Sequence, residues 1–365
     1  MPFKNLGNLR PRPRAGSIRL QRGGAALAVG TACAVMAVSA CSSSSSSSAA
    51  AASSTAAASS GASSSPGTSS GALTTIRLSN TLIAGDEIPF VYGNAIDIWK
   101  KYGINLVVQN VSTSIQYTSL GAGQADLAMG SPGSIEAAQG GAPIKLVGQI
   151  GPDYIELLAQ KSVATVKDLK GTTLGSSAPG SVTAGIIKTY LGENGLTSSD
   201  YSINYFSGSF PAVLTALIGG RISATSAGFP YIAQAQAANP GLHPVATISS
   251  TPIGVLGGNE MSVNTNWAAK NGPALTKFTE AWNAATKASQ ADPKAAIAAL
   301  AAATKTSTAI ATEWFNKQSP LDGWFPLTQA QFKIIIASLT SQYPNVANAS
   351  YSNLVDNSYI QGASQ

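Results

Sequence analysis

Two residues carry chemistry of their own, Cys41 and His243, and they stand far apart. Cys41 follows Val38-Ser39-Ala40, where an apolar run ends and a serine tract begins. A thiol behind two small residues is the nucleophile needed to carry a diacylglyceryl group, so the string reads as a lipoprotein cleavage site. His243 is the sole histidine and sits in Pro240-Gly241-Leu242-His243-Pro244. With no partner clustered beside it, it reads as a solvated loop residue and not as a base or metal ligand. The acids are scattered, and neither a GxxxxGK(S/T) phosphate loop nor a metal-ligand spacing occurs. Binding is therefore expected in place of turnover, with no catalytic residue, no metal and no cofactor.

Upstream of Cys41 lie six basic residues and no acid, then Gly23 to Ala40 without a charge. That is the layout of a secretory signal, residues 1–40. Eighteen residues also reach the lower limit for a bilayer span, but the run is Gly- and Ala-rich and no positive cluster follows it. Cys41 would then begin the mature chain, held by acyl chains at roughly 0.8 kcal/mol per buried methylene on the outer face of the cytoplasmic membrane. The leader also accounts for the formal charge of +6, because residues 41–365 carry sixteen basic and sixteen acidic residues. A phosphate-tracking surface has no support, so no nucleic-acid partner is expected. The other cysteine, Cys33, lies in the leader, which leaves the body without disulfides or thiolate metal sites. Residues 41–72 form a Ser/Ala/Gly tether too poor in apolar side chains to fold.

From residue 73 onward strand and helix patterns alternate, the mark of an α/β sheet with crossover helices. Thr75–Ser79, Ile104–Val111, Asp126–Met129 and Lys145–Ile150 read as strands. A helix between the first two carries Val91, Ala95, Ile98 and Trp99 on one face. A second alternation runs through strands at Thr173–Gly175, Tyr201–Phe206 and Ile222–Ala227, with helices at Ser181–Asn194 and Phe210–Ile218. Ile155 to Gln160 reads as the joint between the two units, with a return near Val255 to Val263. The last third is helical, with Leu275, Phe278, Trp282 and Ala285 at helical spacing and a Thr328-x-x-Gln331 capping box before Phe332, Ile335 and Leu339. Two lobes follow, 73–157 plus 257–365 and 158–256, with a cleft between them.

Polar residues gather at the strand-to-helix turns: Ser79-Asn80-Thr81, Gly130-Ser131-Pro132, Pro179-Gly180-Ser181-Val182-Thr183, Ser207-Gly208-Ser209 and Gly228-Phe229-Pro230. In open α/β sheets the carboxyl ends of strands face the ligand crevice. Helix starts there offer free amides and partial positive charge, enough for a small anion. Each serine could equally do no more than cap its helix. Phe90, Tyr92, Phe229 and Trp324 could stack on a ring.

Several stretches carry a family resemblance: Leu120-Gly121-Ala122-Gly123-Gln124-Ala125-Asp126, Gly141-Ala142-Pro143-Ile144-Lys145, Val166-Lys167-Asp168-Leu169-Lys170-Gly171, Pro179-Gly180-Ser181 and Ala216-Leu217-Ile218-Gly219-Gly220-Arg221. The chain resembles substrate-binding lipoproteins of ABC importers, of the nitrate-, taurine- and aliphatic-sulfonate-binding, thiamine-pyrimidine-synthase-like family, best over Thr75 to Ala238. The resemblance implies a two-lobed periplasmic-binding-protein type II fold with a two-segment hinge and extra C-terminal helices. It implies capture of a small organic solute (sulfonate-, nitrate-, carboxylate- or heterocycle-like) for a membrane permease and its ATPase, by a monomer. Carried onto this chain, the ligand-lining positions are Asn80, Pro89, Ser131, Gly180, Ser181, Val182, Thr183, Ser209 and Phe229. Ser223 stands where the family usually has an aspartate, and no arginine falls among the lining positions. The alternatives are a surface lipoprotein that senses or adheres, and a pyrimidine-synthase-like enzyme. The latter needs a cysteine-rich motif that the body lacks.

Overall fold

The computed structural model describes residues 72–81, 85–130, 133–179, 181–206, 209–340 and 343–360. The leader, Cys41 and the tether lie outside them. Strands β1 (Thr74–Asn80), β2 (Ile104–Asn110), β3 (Leu127–Gly130) and β4 (Ile144–Ile150) open the first sheet. Between them run α1 (Ile88–Ala95), α2 (Ile98–Lys101), α3 (Thr113–Gly121) and α4 (Gly133–Gln139). The second sheet takes β5 (Ile155–Ala159), β6 (Thr173–Ser176), β7 (Ser202–Tyr205), β8 (Ala224–Gly228) and β9 (His243–Thr247), with α5 (Val182–Glu193), α6 (Phe210–Ile218) and α7 (Tyr231–Ala238) as crossovers. The chain then returns through β10 (Asn259–Asn264), α8 (Thr265–Ala291), α9 (Pro293–Thr304), α10 (Thr308–Gln318), β11 (Trp324–Phe325), α11 (Gln329–Thr340) and α12 (Tyr351–Leu354).

The sheet orders are β11-β4-β10-β3-β1-β2 and β7-β6-β8-β5-β9. Parallel pairs β1/β2, β1/β3, β6/β7 and β6/β8 are each bridged by a helix, as right-handed crossovers require. The strands that follow a passage between sheets, β5 and β10, run antiparallel to their neighbours. β11 adds a further antiparallel pair with β4 at the edge of the first sheet, and two such mixed sheets make this the two-lobed periplasmic-binding-protein arrangement expected from the sequence.

Three readings are corrected. Ile155–Gln160 is no joint: Ile155 to Ala159 form β5, an interior strand with all five residues buried. The passage therefore lies at Gly151–Tyr154, and the continuous apolar run is what a strand covered on both faces needs. The helix expected through Val91 to Trp99 breaks at Asp97, whose φ of 53° is one that Asp tolerates, and Ala95 is exposed while Val91, Ile98 and Trp99 are buried. His243 is no loop residue: it opens β9 opposite Ala159, its ring Nε2 2.9 Å from the Val163 carbonyl.

The core of the first lobe is aromatic. Trp99 stacks on Phe278 at 5.2 Å between centroids, and Trp324 meets Trp282 edge-on at 5.7 Å. This core holds the Phe90, Tyr92 and Trp324 that the sequence offered as ring-stacking candidates, so they are not free to meet a ligand. The Thr328–Gln331 box closes as expected, with Gln331 Oε1 accepting from Thr328 N at 2.9 Å and Gln331 N donating to Thr328 Oγ at 3.2 Å. The apolar face of α11, Phe332, Ile335 and Leu339, joins a cluster holding Leu146 of β4 together with Leu174 and Ile186 of the second lobe. The last segment thus touches both lobes.

One buried charge sets a stability test. Glu260 lies in β10 between β3 and β4, 2 % exposed, with Oε2 unpartnered. Burial, helped by the charge of Asp86, pushes its carboxyl from 4.5 to about 8. The folded state then holds a proton that the unfolded chain loses near 4.5, so stability is full below that value and falls as pH rises to about 8. Glu260→Gln should leave the melting temperature nearly unchanged at pH 4 and raise it by several degrees at pH 8, read by thermal denaturation at both values. Equal shifts at the two pH values would contradict this account.

Candidate functional site

Four of the five turns singled out in the sequence contribute residues to one cavity of about 210 Å³. From the first lobe come Asn80 and Thr81 after β1, Gln116 on α3, and Met129 with Gly130 at the end of β3. From the second come Ser177, the α5 start Ser181-Val182-Thr183, Phe210 of α6, the β8 end through Phe229, and Tyr231. The two passages between lobes add Asp153 and Ile155 on one side, Gly257 and Asn259 on the other. Carboxyl ends of β1, β3 and β8 therefore face one hollow at the joint, where α/β sheets bind ligands. Its volume is below the ~300–1,000 Å³ of drug-sized sites, which suits a small solute.

Of the nine positions named from the resemblance, Asn80, Ser181, Val182, Thr183 and Phe229 line this cavity. Pro89 is buried in the first turn of α1 away from it, and Ser209 precedes α6 with its side chain exposed. Of that stretch only the following residue, Phe210, lines the cavity, and Ser207 and Gly208 lie outside the described residues. Ser131 and Gly180 lie outside the described residues. Ser223 exchanges backbone bonds with Thr173 and Gln160 and does not line the cavity.

The hydroxyl of Ser181 is used up locally. It donates to the Ala178 carbonyl at 2.8 Å, lies 2.7 Å from Ser176 Oγ, and accepts from Ala184 N at 3.3 Å. It caps α5, so what the helix presents to the cavity is the backbone amides of its first turn.

The facing wall has the opposite polarity, which the sequence reading missed. Glu87 is 1 % exposed and accepts a 2.9 Å bond from Asn80 Nδ2, whose own Oδ1 accepts from Thr81 N at 2.8 Å. Gln116 is also 1 % exposed; its Nε2 donates to the Ser79 carbonyl at 3.2 Å and to the Met129 carbonyl. Two carbonyl partners fix which end of the amide is nitrogen. Its Oε1 is left buried without a partner, on a residue that lines the cavity.

Asp153 is 8 % exposed, with Oδ1 unpartnered, close against Gly85 and Gly228, where any side chain would strike its carboxyl. Burial first, then the charges of Asp86, Asp322 and Glu87, push its carboxyl well above the usual range. Behind it, burial raises Asp86 to about 7 against the pull of Asn259, which donates N–H at 3.0 Å and Nδ2–H at 2.8 Å. Asp322 is raised well by burial too, although Gln318 Nε2 donates to its Oδ1 at 2.9 Å. No Lys, Arg or His is among the described residues lining the cavity. The undescribed neighbours Leu82-Ile83-Ala84, Ser131-Pro132, Gly180 and Ser207-Gly208 carry no charge either. The only sequence signals were Asp86-Glu87 and Asp153 beside glycines, in a chain with 10 % charged residues.

The NMT1/THI5-like family model matches residues 86–296. No curated protein matches the sequence closely enough to count as a relative. Among solved structures, the alkanesulfonate-binding protein SsuA of Xanthomonas axonopodis pv. citri, bound to MOPS, aligns at TM-score 0.65 and 18 % identity over 79 % of this chain and 99 % of its own. The periplasmic aliphatic sulphonate-binding SsuA of Escherichia coli aligns at 0.64 and 18 %, over 78 % and 96 %. The desulfurization enzyme DSZB has a similar fold, at 0.57 and 13 %, over 78 % and 97 %.

The capping role of Ser181 can be checked directly. Ser181→Ala should cost about 1 kcal/mol of stability, near 2–4 °C in melting temperature. An unchanged melt would show that α5 starts without this cap.

Proposed function

The chain belongs to the NMT1/THI5-like family, and from that membership we propose that it is the extracytoplasmic solute-binding component of an ABC importer. The observation that carries the reading is the single cavity fed by strand ends of both lobes and by both passages between them. A solute held there touches both lobes, so it binds the shut arrangement better than the open one and shifts the population toward closure. The closed body would then dock on a membrane permease and be emptied by ATP hydrolysis in its partner subunits.

The passages are built for such bending. A Cβ at Gly258 would collide with the Gly151 carbonyl, so the two segments lie in contact, and Gly151 has a φ of 54°. Gln149 Nε2 donates to the Val255 carbonyl at 2.9 Å, and Ser249 Oγ accepts from Ile155 N at 2.7 Å. A short double connection pinned at both ends concentrates motion in a few residues. No covalent chemistry is assigned to the cavity; transport by binding is the reading, and the enzyme with the same fold is set apart by its own name alone.

A binding protein of an importer must remain near its permease, and Cys41 supplies the means. Residues 1–40 would be removed and Cys41 acylated, leaving residues 42–72 as a tether of roughly 30 Å at about 5–6 Å times the square root of its length. Among the described residues no helix is long and apolar enough to cross a membrane. Surface sensing or adhesion with the same fold gains no specific support from the buried cavity.

Two measurements test this. A solute present at a hundred times its Kd should stabilise the chain by about 2.7 kcal/mol, a rise of several degrees in melting temperature, and Thr183→Trp, which fills the cavity wall, should abolish that rise. A solute that binds equally well to the Thr183→Trp variant lies elsewhere and defeats the proposal. For the anchor, Cys41→Ala should move the protein from the membrane to the soluble fraction of the expressing cell; a variant that stays membrane-bound refutes lipidation at this residue.

A further inference from the structure

The cleft is polarised, and its side chains say which charge it was built to meet. Gln116 spends both amide hydrogens on the Ser79 and Met129 carbonyls, so it can only accept, and its Oε1 stands buried without a partner. Asp153, which lines the same cavity, carries a second unpartnered buried oxygen. Glu87, held by Asn80, supplies a carboxylate on the same side. An unpaired buried acceptor costs free energy that a ligand donor can restore, whereas an anion placed there adds repulsion to desolvation.

The rings fit the same charge. Tyr231 and Phe210 meet edge-to-face at 4.9 Å between centroids, both line the cavity, and Tyr231 lies within the field of Glu87. Aromatic faces beside a carboxylate attract a cation. At the far wall the first amides of α5 can receive an oxygen acceptor of the same solute.

Resting on the solute-capture reading, we infer that the captured solute is a nitrogen cation: a protonated amine, amidine or guanidine whose N–H groups dock on Asp153, Glu87 and the Gln116 Oε1. A simple sulfonate or nitrate is the wrong partner for this wall. A neutral Asp153 could lend one hydrogen to an anion, but Gln116 could not turn to help, because its amide is already committed. Among the described residues no group of three His, Cys, Asp or Glu has the geometry to hold a metal ion, so an organic head answers the acids better than a bare one.

The test uses the full chain purified in detergent, with isothermal titration of two probe sets. Agmatine, putrescine and 2-phenylethylamine are the cations; ethanesulfonate, nitrate and 3-phenylpropionate are the anions. At least one cation should bind one-to-one and none of the anions should. Asp153→Asn and Glu87→Gln, which keep the shape and remove the capacity to ionise beside a bound cation, should each weaken that cation at least tenfold with an unchanged circular dichroism spectrum. Anions that bind while the cations do not, or an Asp153→Asn variant that binds its cation as well as the parent, overturn the inference and leave solute capture standing. If no probe of either set binds, both the inference and the capture reading fall.

Discussion

Four carboxyl groups buried at one joint, Asp86, Asp153, Glu260 and Asp322, constrain this molecule more than any other feature. They come from four separate stretches of chain and are each at most 8 % exposed. Taking carboxylates out of water is costly unless each is paired or protonated. Asn259 and Gln318 supply hydrogen bonds, and the charge of Asp86 opposes ionisation of each of the other three. A fold selected for stability alone would fill such a position with apolar side chains. The acids therefore mark the joint as a place where stability is traded for buried titratable groups, of which Asp153 lines the cavity.

That arrangement depends on how the joint is tied. Gln318, at the end of α10, is fully buried; its Oε1 accepts from Tyr154 N at 2.7 Å and its Nε2 donates to the Pro152 carbonyl at 3.1 Å. Trp314, one turn earlier, donates to the Gly85 carbonyl at 2.8 Å. One helix thus fixes both the segment bearing Asp153 and the segment leading to Asp86 and Glu87. The C-terminal third serves as the brace of the joint, a function its helical spacing alone could not reveal. Through α11 the same third also packs on α5, whose start forms the opposing wall. Closing of the lobes must be compatible with that packing, which favours a small rotation about the two passages over a wide swing.

The alternation of strands and helices was plain in the sequence because the units are short and several are separated by a left-handed glycine, as at Gly103, Gly141, Gly195 and Gly220. Phe210–Ile218 has the bounds its apolar pattern indicates, and Ser181 caps the helix it precedes. Two of the family-like motifs proved to be scaffolding. Asp126, which ends Leu120 to Asp126, accepts from Arg77 N at 2.8 Å and Nε at 3.0 Å and so ties the start of β3 to β1. Asp168, in Val166 to Gly171, closes a capping box with Thr165. Glu87, Gln116 and Asp153 belong to no motif, and their role comes from contacts between residues tens of positions apart. Asp86-Glu87 ahead of an apolar helix reads locally as a favourable charge at a helix start, which hid its part in the cavity. Ile155–Gln160 misled for a related reason, since an apolar run gives the same signal in a connector and in a strand buried on both faces.

The two walls of the cleft differ in how they are specified, and that difference decides what can be transferred between proteins of this shape. Free amides at the start of α5 follow from the topology, because every parallel crossover presents a helix start near strand ends. They give the fold a standing preference for an oxygen acceptor, whatever the side chains. The first-lobe wall has no such default, so its sign is written by individual residues. Here those residues are two carboxyls and an amide turned to accept. At 18 % identity the shared backbone fixes only the wall that topology supplies. Ligand class then has to be read from the charge and hydrogen-bond capacity of positions 87, 116 and 153, since those are where this chain opposes the polarity its own helices provide.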